Sequence, residues 1–410
     1  MKKFILLSLF IISYIGNAFC QERLEPKGQI PILAWYSIPA NQTTVERYRE
    51  MKEAGITHSL SFFSNLGELQ KALDVAAKVG VKIVASCPEM KADPEKTVKV
   101  LMNHPALAGY HLIDEPGISK FKELGDWGKK IQSVDNKHFC YVNLFPNFAD
   151  TATQLQTKDY RKYVSDCAKM IPLQFLSFDY YPVLKDHLSK TWYENLEQFS
   201  DESKKAAKPF WAFALTTNYD ENHVTPQTLA AMRLQVFSDL AYGAQGIQYF
   251  TYWSATSVNA PSGEDQRGAP ISVAGKRSVV YDRVKQMSEE IRSLSGVFYG
   301  AKMLWVRHFG KGAIPQGTIR LTTLPEQIKV LDTAGAPALV SLLENGSNTF
   351  MVVINKDYIN SINLTVYGDD TVKKVQRDGS IVAASNYDSS LELDPGDAAI
   401  YMYPTKIGNK

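Results

Sequence analysis

Between residues 31 and 298, short apolar runs alternate with longer amphipathic stretches, and no other feature constrains the fold as much. The runs PILAWYSI (31–38), ITHSLSFF (56–63), VKIVASC (81–87), AGYHLID (108–114), HFCYVNLF (138–145), FLSFDYY (175–181), FWAFALTT (210–217) and GIQYFTYW (246–253) are rich in β-branched and aromatic residues, as strands are. Between them lie stretches of helical periodicity, from TTVERYREMKEA to RSVVYDRVKQMSEEIRSLS. Several runs are apolar on successive residues, the pattern of strands covered on both faces. Gly55, Gly80, Gly109 and Gly246 fall where helices would hand over to strands. Eight such units predict an α/β chain whose main body is a (β/α)8 TIM barrel. A doubly wound sheet needs a glycine-rich phosphate loop after its first strand, and AWYSIPANQ stands there instead.

After residue 300 the texture changes. IRLTT, IKVLD, ALVSLLE, FMVVINK, SINLTVY, VKKVQ, SLELD and AAIYMYP are short runs broken by ENGSN, YGDD, RDGS and DPGD. Turn signals at that spacing predict a small C-terminal antiparallel β-sandwich, joined through KGAIPQG. The expected organisation is a leader at 1–20, a barrel at 21–305 and a sandwich at 315–410.

The leader begins with Lys2 and Lys3, continues with FILLSLFIISYIG and ends in small residues at Ala18 and Cys20, a secretory pattern. It is too short to span a bilayer comfortably. An exported protein is expected, cleaved before Gln21; a lipid anchor on Cys20 is the alternative, although Phe19 stands where such signals want a small residue. The compartments that follow are periplasm, cell surface or medium. Taking away the two lysines of the leader leaves 43 basic residues facing 43 acidic ones. That balance argues against nucleic acid or an anionic membrane as partner and for a neutral ligand. Cys87, Cys140 and Cys167 have no CxxC spacing and read as buried free thiols, not as a zinc site or a disulfide framework.

Active sites of such barrels lie at the carboxyl ends of the strands. The residues there are aromatic and acidic: Trp35 and Tyr36; Phe62 and Phe63; Glu89; Asp114 and Glu115; Asn143; Asp179, Tyr180 and Tyr181; Thr216 and Thr217; Tyr252 and Trp253. Neither a His–Asp–His cluster nor a GxSxG elbow is among them, so no metal or cofactor is expected. Aromatic rings can stack on the apolar faces of a sugar while carboxylates move protons. Bland readings stand beside these. Trp35 and Trp253 could plug the barrel, Asp179 could cap a turn, Asn143 could be scaffold and Glu89 solvated. In GYHLIDEPG an acid before Pro116 could start a helix, its carboxylate capping free amides. That role uses one acid and leaves the second unexplained.

The barrel with its trailing sandwich resembles the glycoside hydrolases of clan A, and over residues 30 to 300 it is similar in layout to family 42 β-galactosidases. Those enzymes carry Asn-Glu at the end of strand four, the Glu as general acid/base; Asp114-Glu115 matches that place. GAQGIQYFTYW (243–253) resembles their last strand. One departure is that the strand-seven nucleophilic Glu has no counterpart, since Ala214 and Leu215 stand there.

The resemblance implies a glycosidase in which Glu115 is the proton donor, supported by Asp114. Asp179 would be the ionised base or nucleophile. Trp35, Tyr36, Asn143, Tyr180, Tyr181, Tyr252 and Trp253 would hold the sugar. A carboxyl separation of about 6.5–9.5 Å would imply inversion and about 5–5.5 Å retention. Glu264 and Asp265, in the long loop after strand eight, are reserve candidates for the missing acid. A carbohydrate-binding protein on a decayed barrel is the main rival; a lyase or transglycosidase on the same fold is another.

Overall fold

The computed structural model describes residues 22–185, 187–218, 228–254, 268–384 and 391–405. The expected leader with Cys20, and the reserve acids Glu264 and Asp265, lie outside the described residues.

Eight parallel strands form the barrel: β1 (Ile32–Trp35), β2 (His58–Leu60), β3 (Lys82–Ala85), β4 (Leu107–Asp114), β5 (Phe139–Asn143), β6 (Leu176–Phe178), β7 (Phe210–Leu215) and β8 (Gly246–Phe250). They run in the order β5-β4-β3-β2-β1-β8-β7-β6, and the ring closes where Leu144 bridges Phe178 and its amide donates to Ser177 at 2.8 Å. Each strand falls inside a predicted run except β4, which begins one residue earlier, at Leu107. All six residues of β7 are buried, which is why that run shows no polar alternation. Helices fill the intervals, and several begin on capping side chains. Thr44, Asn65 and Asp93 accept from Arg47, Glu68 and Lys96 amides, and Pro94 takes the first helical position after Asp93.

Side chains alternate across the barrel wall. Leu33, Trp35, Leu60, Val84, Tyr141 and Phe213 meet in an aromatic inner cluster, whereas Ile32, Ala34, Ile83 and Ile247 face the helices. Gly55 and Gly80 end helices with positive φ, as predicted. Gly109 instead lies inside β4, where a Cβ would come within 2.4 Å of the Phe139 carbonyl oxygen; a glycine there admits the neighbouring strand.

The C-terminal region is two antiparallel sheets. One has the order β10-β13-β16 and the other β15-β14-β17-β12-β11-β9. The strands are β9 (Lys302–Phe309), β10 (Ile328–Asp332), β11 (Ala338–Asn345), β12 (Asn348–Asn355), β13 (Ile362–Gly368), β14 (Lys373–Val375), β15 (Ile381–Ala383), β16 (Leu391–Leu393) and β17 (Ala398–Pro404). The run KMLWVRHF, absent from the sequence reading, is the edge strand β9, whereas IRLTT makes only a bridge from Arg320 to His308. A core of Val340, Met351, Leu364, Leu393 and Tyr401, among others, fills the space between the sheets. The six-stranded sheet turns its other side to the barrel helix Leu229–Ala241, where Ser341 Oγ donates to the Ala241 carbonyl at 2.7 Å. Residues 22–24 pair with the sandwich at Gly379–Ile381, so the segment before β1 is tied to the C-terminal sheets.

Candidate functional site

The acids gather at one side of the barrel mouth. Asp114 ends β4 and Glu115 follows it with φ 45°, a left-handed backbone that a non-glycine residue holds only under constraint. Two bonds supply the constraint. The Glu115 amide donates to the Asn143 carbonyl at 2.9 Å, and the buried Tyr163 hydroxyl donates to the Pro116 carbonyl at 2.7 Å. The helix-start reading of GYHLIDEPG is not what forms. The next short turn of helix begins at Ile118 with Gly117 before it, and no side chain caps it. Neither acid is used as a cap.

Asn143, at the end of β5, stands between β4 and β6. Its Nδ2 donates to Asp114 Oδ1 at 3.2 Å and to Asp179 Oδ1 at 2.8 Å. Its own oxygen accepts from Ser177 Oγ at 2.9 Å, Ser177 Oγ accepts from Gln248 Nε2 at 2.8 Å, and Gln248 Oε1 accepts from the Tyr141 hydroxyl at 2.6 Å. A buried chain across β5, β6 and β8 thus fixes which way the amide points. Asn143 is 2% exposed; its side chain is scaffold for two carboxylates, and its carbonyl holds the Glu115 backbone.

Glu115 and Asp179 are hydrogen-bonded to each other, a contact that favours the protonated form of Glu115 and the ionised form of Asp179. The reason is topological. β4 and β6 are next-but-one neighbours, and the Asn143 amide draws their acids together above β5. Burial pushes the Glu115 carboxyl up to about 9, with the charges of Asp179 and Asp114 adding to it. Asp114 is raised to about 7, first by the protein crowded around it and then by Asp179, although its outer edge remains open to water. Asp179 is also raised, by burial, against the opposing hydrogen bonds from Asn143 and Tyr181. The tyrosine bond expected to keep Asp179 ionised is present, and burial outweighs it.

The aromatic candidates divide by side of strand. Tyr36 and Phe62 are 42% and 44% exposed, with ring centroids 5.4 Å apart. With Trp253, Gln42, Ser61 and Val273 they line a cavity of about 380 Å³ at the ends of β1, β2 and β8, a size suited to a small ligand. Trp253 is held by its amide on the Tyr36 carbonyl at 3.0 Å and by the Arg47 guanidinium 5.1 Å from its ring. The peptide bond Phe250–Thr251 leading to it is cis. Tyr181 lies against Phe250 in the inner cluster.

Trp35, Tyr180 and Tyr252 are buried. Trp35 is 2% exposed and wedged edge-on against Phe62, His111 and Phe213. The Tyr180 hydroxyl is engaged by Ser189 and Thr191, and Tyr252 is turned outward into the helix layer. Their rings belong to the packed core. Glu89 accepts from the Leu66 amide at 3.0 Å and ties a helix start.

Sequence reasoning missed His111, Ser177 and Gln248. His111 is buried under the mouth with Nε2 unbonded and its pKa lowered to about 4 by burial, so it is neutral. A polar residue inside an apolar strand was the available signal for all three. At β7, Ala214, Leu215, Thr216 and Thr217 are all buried, and none is an acid.

No family model matches the chain, and no curated protein sequence matches it. Solved structures do. A β-galactosidase from Bacillus circulans sp. alkalophilus is 8% identical, with 92% of this chain and 100% of that one covered and a TM-score of 0.58. A glucosidase from Croceicoccus marinus is 10% identical over 94% of this chain and 98% of that one, with a TM-score of 0.48. A β-galactosidase from the psychrophilic Marinomonas ef1 is 12% identical over 65% of this chain, with a TM-score of 0.46, and the match spans 60% of that enzyme's length. The likeness to the Bacillus enzyme runs through both parts of the chain and establishes the fold. The chain is a TIM barrel with a trailing β-sandwich, and its structural neighbours are glycoside hydrolases.

Proposed function

We propose that the protein is a glycoside hydrolase in which Glu115 is the proton donor to the glycosidic oxygen. The observation that carries this is the Glu115–Asp179 pair, two carboxyls held in contact at the open end of the barrel with Asp114 beside them. Such a pair keeps a proton at neutral pH and gives it up only to a strongly basic atom, such as an oxygen leaving a sugar ring. After the bond breaks, the pair is a base that takes the proton back from the attacking water. Asp179 thereby acts through Glu115, in place of the separate base or nucleophile across the mouth. Asp114, half ionised near neutrality, supplies negative charge beside a developing oxocarbenium centre. Asn143 holds Asp114 and Asp179 through its side chain and the Glu115 backbone through its carbonyl.

Tyr36, Phe62 and Trp253 form the sugar-binding wall, and the even charge balance favours a neutral glycan. The likeness to family 42 β-galactosidases in the place of Asp114-Glu115 supports the assignment, and the acid-free end of β7 makes the mechanism differ from that of retaining enzymes. The leader-like first 20 residues favour action outside the cytoplasm, with cleavage before Gln21 as the simpler alternative to a lipid on Cys20. The mass of the mature N-terminal peptide distinguishes the two.

The test is hydrolysis of a broad panel of plant, host and microbial glycans by wild type and Glu115→Gln, reading released sugars. Gln keeps the contact with Asp179 and cannot donate a proton as an acid. Cleavage by wild type that disappears in the variant supports the reading. Equal cleavage by both removes Glu115 from the mechanism, and binding without cleavage by either favours the decayed, binding-only barrel.

A further inference from the structure

The sugar-binding wall described above occupies one side of the mouth, at β1, β2 and β8. In the ring order, β5 is diametrically opposite β1, and the loop leaving β5 carries the sequence PNFAD (146–150). Its phenylalanine, Phe148, is 63% exposed, more than any other aromatic side chain among the described residues. A lone exposed apolar side chain is ordinary on a protein surface. This one differs in how firmly it is held.

The Phe148 ring stands edge-on to Tyr180 with centroids 5.0 Å apart, and the Tyr180 hydroxyl is itself fixed between Ser189 and Thr191. The backbone on both sides is pinned. The Phe145 amide donates to the Tyr163 hydroxyl at 3.3 Å, the Phe145 carbonyl accepts from Tyr160 at 2.9 Å, and the Asn147 amide donates to Asn195 Oδ1 at 2.7 Å. Ala149 closes the turn onto the Pro146 carbonyl at 3.1 Å. Tyr163 is also the residue that clamps Pro116, so one hydroxyl fixes both the loop bearing Phe148 and the bend bearing Glu115. A ring held in place before binding loses little freedom when something stacks on it. Its neighbours in sequence are turn formers and polar residues, so the loop offers an isolated apolar face and not a greasy patch.

From this we infer that Phe148 is a second sugar-stacking platform, on the far side of the carboxyl pair from the Tyr36–Phe62–Trp253 cavity. The inference rests on the glycosidase reading and narrows its substrate class. A glycan lying across the mouth meets the cavity at one end, Glu115 and Asp179 at its middle, and Phe148 at the other. The scissile bond then has sugar on both sides, and the preferred substrate is an oligosaccharide or the interior of a polysaccharide, not a monosaccharide glycoside. Phe148 is a specificity residue, and it touches no reacting atom.

The experiment uses ladders of neutral oligosaccharides, from disaccharide to hexasaccharide, of whatever linkage wild type cleaves in the glycan panel. For Phe148→Ala the loss in kcat/KM grows with chain length to about tenfold, the effect of losing one ring-stacking contact. The loss lies in KM, with kcat nearly constant, and Phe148→Tyr restores most of it. A loss equal at every length, or no loss at any, overturns the inference and leaves the role of Glu115 standing. If wild type binds a ladder without cleaving it, the same dependence is read in Kd, where growth of the penalty with length upholds the platform and a flat response removes it. A wild type that neither cleaves nor binds any ladder overturns the glycosidase reading and the platform together. The ring is exposed, so its truncation leaves the core intact, and circular dichroism of both variants verifies that.

Discussion

Two glutamates sit in crowded places in this molecule, and their surroundings treat them oppositely. Glu290, on the helix Val279–Ser293 near the joint with the sandwich, receives Arg233 through both oxygens, at 2.9 and 2.5 Å, with Arg377 4.0 Å away. Both members of that pair are nearly fully buried. Glu115, at the mouth, has two more acids for charged neighbours. The first arrangement compensates charge and joins parts of the structure; the second concentrates like charge where it must be paid for in protonation. Like-charged groups on a strained backbone lower stability, and a chain keeps them where the chemistry needs a perturbed proton.

The difference can be broken from either side. The largest effect is expected at the mouth: Glu115→Gln lowers kcat on a cleaved glycan by about 10²–10⁴-fold, the range for removing a general acid, while circular dichroism shows an unchanged fold. At the joint the expected effect is on stability. Glu290→Gln leaves the Arg233 charge buried without its partner and lowers unfolding free energy by about 3–5 kcal/mol in urea titration. The double change Arg233→Met with Glu290→Leu recovers much of that, because no charge is left uncompensated.

Smaller effects sharpen the contrast through pH. Glu115 is raised when folded, so between its unfolded value near 4.5 and about 9 the native state holds a proton that the unfolded chain has lost. Stability from this group therefore falls as pH rises through that window, and Glu115→Gln escapes the penalty. The variant is expected to melt about 2–4 °C above wild type at pH 8, with the gap closing by pH 4, as read by calorimetry. Water at the half-open mouth screens the group and holds the gap to that size. Asp114 contributes to the rise at Glu115, so Asp114→Asn moves the alkaline limb of the kcat/KM profile to lower pH. An unmoved limb would remove Asp114 from the electrostatics of the pair.

Much of the barrel was legible because parallel strands with both faces covered read as plain apolar runs, FWAFAL of β7 above all. Asp93-Pro94 starts a helix by local chemistry alone, with the Asp93 side chain capping the Lys96 amide. The β9 strand KMLWVRHF was hidden because it follows the last barrel helix directly and carries an arginine and a histidine, so it resembled neither a barrel strand nor a turn-bounded sandwich strand. Strand ends located the acids, but not how they meet. That depends on Asn143, whose amide reaches 29 residues back and 36 forward, and such a bridge has no local signature. Tyr252 was grouped with Trp253 because adjacent residues share a strand end, whereas successive side chains point to opposite faces. Alternation along the chain leaving β8 was the unused signal. Phe148 escaped notice since it lies five residues beyond β5, in a loop whose rigidity comes from Tyr160, Tyr163 and Asn195, all distant in sequence.

The protonation state of Glu115 is the most direct point at which to test the account. An infrared difference spectrum between wild type and Glu115→Gln, followed from pH 5 to pH 10, reads it without any substrate. A carboxylic-acid carbonyl band present in wild type at pH 7, fading as pH approaches about 9 and absent from the variant, is the predicted result. Carboxylate bands alone at pH 7 would contradict it, because Glu115 would then be ionised and have no proton to give.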